Sequence, residues 1–126
     1  MEKRKMSRRI LFKAKRLDNG ERVEGYYVYC RKKHYILPVL NKAIGFDERE
    51  EEWVEVDPDT LCQFTGLTDK NGKKIWENDL LGHKLNRVEF LNGTYCINGD
   101  RSLFFEANTN EVIGNIFDNQ EMLEVE

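Results

Sequence analysis

The amino-acid sequence predicts a mainly β fold: a small barrel or sandwich of antiparallel hairpins, with one short helix at the C-terminus. Three observations lead there. Four of the nine glycines follow asparagine, at Asn19-Gly20, Asn71-Gly72, Asn92-Gly93 and Asn98-Gly99. That pair best tolerates the positive φ needed at both central positions of a type I′ hairpin turn. Apolar residues alternate beside these turns with the period of a half-buried strand. The strand-like runs are short and punctuated by turns roughly every 8–12 residues, which favours an all-β barrel or sandwich over a parallel sheet.

In chain order, Ile10, Phe12 and Ala14 alternate with Leu11, Lys13 and Lys15 ahead of the turn Asp18-Asn19-Gly20. Val23 and the run Tyr26-Tyr27-Val28-Tyr29 return from it. Residues 35–40 are strand-compatible, and Pro38 favours an edge or a bulge because it has no N–H to give a neighbour. Residues 47–52 read as a loop, since their carboxylates repel one another, and residues 53–56 read as a strand. Asp69-Lys70-Asn71-Gly72 separates Gln63-Phe64-Thr65 from Ile75-Trp76, and Asn92-Gly93 separates Val88 and Phe90 from Thr94-Tyr95-Cys96-Ile97. Residues 103–105 and 112–117 are further strand candidates. The predicted helix starts at Asp118, which forms a capping box with Glu121 ahead of Met122 and Leu123.

Composition sets the class. The chain has 126 residues, of which 34% are charged, and a formal charge of −3. Its 34 Leu, Ile, Val and Phe residues are enough to build a core despite that polarity. The longest apolar run is the five residues 26–30, far below the roughly 20 of a membrane span, so no membrane is expected as a partner. The basic start leads only to Ile10-Leu11-Phe12, too short for the apolar region of a secretory signal. Cys30, Cys62 and Cys96 are odd in number and widely spaced, which fits buried thiols in a reducing cytoplasm rather than a disulfide framework.

The net charge conceals an asymmetry. Residues 1–33 hold 12 Lys and Arg against 4 acids, whereas residues 34–126 hold 8 against 19. Eight of those acids fall within residues 47–59, and residues 106–126 carry six acids and no base.

Residues 57–80 carry a recognisable pattern. Asp57-Pro58-Asp59-Thr60, then Gln63-Phe64-Thr65-Gly66-Leu67-Thr68-Asp69-Lys70-Asn71-Gly72-Lys73-Lys74-Ile75-Trp76-Glu77-Asn78-Asp79-Leu80, resembles the signature of the YopX family of phage and prophage proteins. That family reads D-P-x-T, then Q-Y-T-G-L-x-D-K-N-G-K-x-I-Y-E-G-D-I. Glu111-Val112-Ile113-Gly114-Asn115-Ile116-Phe117-Asp118-Asn119 is similar to its E-V-I-G-N-I-Y-E-N, and residues 10–16 with Val23-Glu24-Gly25-Tyr26 fit its usual beginning. Asn78 departs from the usual glycine, which still permits a left-handed turn residue, and Gln120 replaces a helix-start proline. The resemblance implies an SH3-like barrel, a phage or prophage origin in the cytoplasm of a bacterial host, and one domain over residues 1–126. Residues 1–6, which precede the family's usual start, are expected to be a flexible extension. No activity comes with it.

The signature has a structural reading of its own. Gly66 and Gly72 supply positive φ, Asp69 accepts from backbone amides two residues on, and Ile75 and Trp76 face opposite sides of one strand. The catalytic alternative rests on Asp57, Asp59, Asp69, Glu77 and Asp79, but sequence alone places no two of them across a cleft and no nucleophile–base pair appears. No catalytic residue, cofactor or metal is therefore expected. Cys30-x3-His34 is a conceivable zinc pair, but a structural zinc site normally needs two such pairs.

Two binding readings follow. The first is a self-associating module, its β edges covered and its basic segment set against another copy's acids, which predicts salt-sensitive assembly. A phage or host protein is the alternative protein partner. The second is nucleic-acid binding, with Arg8, Arg9, Lys13, Lys15, Arg16, Arg31, Lys32 and Lys33 as the contact set around Phe12, Tyr26, Tyr27 and Tyr29. The pI near 5.5 weighs against a dedicated binder.

Overall fold

The computed structural model describes residues 10–38, 53–82 and 86–118. The expected helix after Asp118, the acidic loop at 47–52 and the extension at 1–6 lie outside them. The described residues are mainly β, in two antiparallel sheets of six and five strands with one short helix, and they form no closed barrel. No described helix is long and apolar enough to cross a membrane. The chain divides into two compact units, Met1–Gln63 and Phe64–Glu126.

In the first unit, β1 (Phe12–Lys15), β2 (Arg22–Cys30), β3 (Lys33–Pro38) and β4 (Val54–Glu55) run antiparallel, and the first residues of β5 (Cys62–Thr68) pair with β1. Ala14, Ile36 and Val56 are buried at its core, with Phe12, Val23, Tyr27, Val54 and Leu61 packed against them. Gly25 explains the closeness of β2 and β3, because a Cβ there would overlap the Leu37 carbonyl oxygen. Pro38 is neither on an edge strand nor in a bulge. β3 lies between β4 and β2, and Pro38, its last described residue, pairs in regular register with Gly25.

The second unit contains β6 (Lys74–Trp76), β7 (Asp79–Leu81), β8 (Asn86–Leu91), β9 (Thr94–Ile97), β10 (Arg101–Ser102), α1 (Leu103–Glu106) and β11 (Val112–Asn115). Its five-stranded sheet has the order β10-β9-β8-β7-β11. Ile75, Leu81, Val88, Ile97, Leu103, Ala107 and Val112 form the core. Ile75 and Trp76 are both buried, so both faces of β6 are covered. All four Asn-Gly pairs lie in connections between successive antiparallel strands, and each glycine has positive φ. Residues 103–105, expected as a strand, are helical instead. Leu103 and Ala107, four apart, both reach the core while Phe105 between them is exposed, a pattern that fits a helix and that a two-residue period cannot satisfy.

Candidate functional site

The β2–β3 hairpin closes through two residues, Arg31 and Lys32, between the paired residues Cys30 and Lys33. Their φ values are 52° and 69°, positive at both positions, which is the type I′ pattern. Arg31, Lys32 and Lys33 are all exposed and make no ion pair among the described residues. Three adjacent cations therefore stand at one strand end, with no ion-pair partner among the described residues.

Beside the tip runs a ladder of rings. Strand alternation puts Tyr27 and Tyr29 on one face of β2, and register puts His34 of β3 opposite Tyr29 on that face. Phe12 and Tyr27 have centroids 5.3 Å apart, Tyr27 and His34 stack at 5.8 Å, and Tyr29 and His34 meet at 4.8 Å. The Tyr27 hydroxyl and His34 Nδ1 share a hydrogen bond of 2.6 Å, which fixes the imidazole plane. The ladder begins at the packed ring of Phe12 and ends at Tyr29, which is 59% exposed.

The eight basic residues of the sequence reading do not form one patch. Arg8 and Arg9 lie outside the described residues. Lys13 is buried, facing Glu24 on β2 and Cys62 on β5, because its strand is flanked on both sides. Lys15 is half-buried, opposite Arg22 in register, and its backbone N–H donates to Thr60 Oγ1 at 2.9 Å. Arg16 forks onto both oxygens of Asp18 at 3.0 and 2.9 Å. Arg16 also stands beyond the opposite end of β2 from Arg31, and a nine-residue strand separates such ends by about 27 Å. Of the six that are described, Arg31, Lys32 and Lys33 gather at one end of β2.

The five carboxylates serve turns where their hydrogen bonds are seen. Asp57 accepts from the Asp59 N–H at 3.0 Å at the start of a 3-10 turn, and buried Asp79 accepts from the Trp76 N–H at 2.8 Å. Asp69 accepts three backbone N–H bonds, from Asn71, Lys73 and Val112. Burial pushes its carboxyl up, but those amides outweigh it and hold the group below the ordinary range. Cys30 and His34 sit on opposite faces of the hairpin, because Cys30 pairs with Lys33 and His34 with Tyr29. Among the described residues no group of three His, Cys, Asp or Glu side chains is arranged to hold a metal.

A different surface stands out in the second unit. Phe104 and Phe105 of α1 are 67% and 78% exposed, edge to face at 5.2 Å. Phe90 and Tyr95 pack at 4.8 Å on the β8–β9 hairpin. Burial pushes the Tyr95 phenol up to about 12, with Glu77 adding to the shift. The sequence marks residues 103–105 only as a strand candidate and does not single out the two rings. It marks no turn at Arg31-Lys32 either, although three cations between two apolar runs are the available signal.

Set against known protein families, residues 11–124 match the profile described as YopX protein. No curated protein matches the chain.

Proposed function

Because the chain belongs to the YopX family over residues 11–124, we propose that it is a non-enzymatic, phage- or prophage-encoded accessory protein that works by binding, first of all to a second copy of itself. The exposed Phe104–Phe105 pair carries this reading. Each ring would contribute about 1.5–3 kcal/mol if fully covered, a strong incentive for a protein surface to find a partner. The pair follows β10, an outer strand of its sheet with only two residues, and outer strands favour added neighbours. The finer fold we propose with it is an SH3-like barrel that is left open among the described residues, supported by short antiparallel strands and tight hairpins. A bacterial cytoplasm is the proposed setting, supported by the three free cysteines.

Light scattering on the full chain at low and high salt tests self-association. A mass above the monomer is expected at both, falling to the monomer in Phe104→Ser/Phe105→Ser. A monomer at both salts contradicts self-association, and assembly at low salt alone reassigns it to charge pairing. Recovery of a single phage or host protein with a tagged copy from infected cells would replace the second copy as partner.

A second reading, nucleic-acid binding, is favoured by one observation: the Arg31-Lys32 turn standing beside the exposed end of the Tyr29–His34 ladder.

A further inference from the structure

Among the described residues, two two-residue hairpin turns have positive φ at both central residues. One joins Leu91 to Thr94 through Asn92 and Gly93, with φ of 54° and 83°. That is the residue pair the geometry favours. The other joins Cys30 to Lys33 through Arg31 and Lys32, with φ of 52° and 69°. Side chains with a Cβ are disfavoured in that region, and two of them in succession are strained. Like charges on Arg31, Lys32 and Lys33 add repulsion. The fold therefore gains nothing from this choice, and Asn-Gly would make the same turn at lower cost.

What the choice provides is a presentation. A tight turn holds the backbone of two cationic residues, Arg31 and Lys32, at a strand end, with Lys33 following on the strand. The ladder Phe12, Tyr27, His34, Tyr29 delivers a ring to the same end, its inner members packed and its last one open. Cations follow a chain of phosphates, and an open ring stacks on a base. The bases of a duplex are already stacked on each other, so a duplex would use the charges and leave the ring idle.

We propose that the tip of the β2–β3 hairpin is a binding site for single-stranded nucleic acid, with the turn residues Arg31 and Lys32 on successive phosphates and Tyr29 stacking a base; Lys33, paired with Cys30 on the other face, adds only its charge. His34, held by Tyr27, backs the Tyr29 ring and keeps it from turning away. This rests on the nucleic-acid reading above and gives it a location and a strand preference.

The test is fluorescence anisotropy of the full chain with a labelled single-stranded oligonucleotide and with its duplex, at about 50 and about 200 mM salt. The wild type is expected to bind the single strand more tightly. Tyr29→Ala should weaken that binding about tenfold. Arg31→Asn/Lys32→Gly should lower the slope of log affinity against log salt by about 1.4, the share of two phosphate contacts. The same double variant should unfold at an equal or higher temperature than wild type, since the turn is relieved. Loss of binding without loss of stability is the signature of a site. Wild-type binding that neither variant weakens, or a preference for duplex, overturns this site while leaving the broader nucleic-acid reading intact. No binding to either oligonucleotide overturns both.

Discussion

The Val112 backbone N–H donates to Asp69 Oδ2 at 2.9 Å, across 43 positions of sequence. The other carboxylate oxygen accepts from Asn71 and Lys73 at 2.8 and 2.9 Å. One side chain thus folds the β5–β6 turn and also pins it to β11. The neighbouring Lys70 N–H reinforces the link by donating to the Asn110 carbonyl at 2.9 Å. Asp69 belongs to the Asp-Lys-Asn-Gly-Lys stretch of the family signature, so that stretch has a structural role independent of any ligand.

Asp69→Asn is nearly isosteric, yet it offers an NH2 where one oxygen stood. At least one of the three backbone donors loses its acceptor at a residue that is 3% exposed. The expected loss is about 2–3 kcal/mol, read from urea denaturation. A change below about 0.5 kcal/mol would show that water replaces the carboxylate without penalty.

Asp69 also sets a pH dependence. Its carboxyl lies below the ordinary value of 3.8 in the folded chain, because the amides outweigh burial. Protonation therefore favours the unfolded state. The stabilisation is complete above about pH 4 and declines as pH falls through the lower folded value. The stability gap between wild type and Asp69→Asn should stay constant from neutrality to about pH 4 and then close. A gap that persists undiminished well below that range would rule out ionisation as its source.

Turn chemistry is local, and that is why so much of it was legible. Glycine at positive φ marks each of the four connections, joined by its asparagine at Asn92 and Asn98 but not at Asn19 or Asn71, and Asn78 adopts φ of 72° where the family prefers glycine. Lys13 was not legible as a buried residue, because its burial depends on strands arriving from both sides. The Arg31-Lys32 turn was hidden for the opposite reason: its residues contradict the local preference of the geometry they adopt. The candidate site was half visible. Charge was plain in the sequence, but β2 places Lys15 and Arg16 at one end and Arg31 to Lys33 at the other.

Gly25 and Gly66 should respond differently to alanine. At Gly25 a Cβ meets the backbone of Leu37 and Pro38, which cannot move without parting β2 from β3. Gly25→Ala is expected to cost about 2–4 kcal/mol. At Gly66 the space is open and only the φ of 88° opposes a side chain, so Gly66→Ala should cost about 1 kcal/mol. Equal losses in thermal or urea unfolding would contradict the close approach at Gly25.

The helical course of residues 103–106 makes a sharper prediction than burial alone. In a strand, residues 103 and 105 share a face, and truncating either would have a similar effect. In α1 they diverge: Leu103 is fully buried and Phe105 is 78% exposed. Leu103→Ala should therefore cost about 2–4 kcal/mol, whereas Phe105→Ala should stay within about 0.5 kcal/mol at dilute protein concentration. Comparable losses from the two substitutions would restore the strand. Divergent losses keep Phe105 out of the core and free to meet a partner, where its truncation should act on assembly instead of on folding.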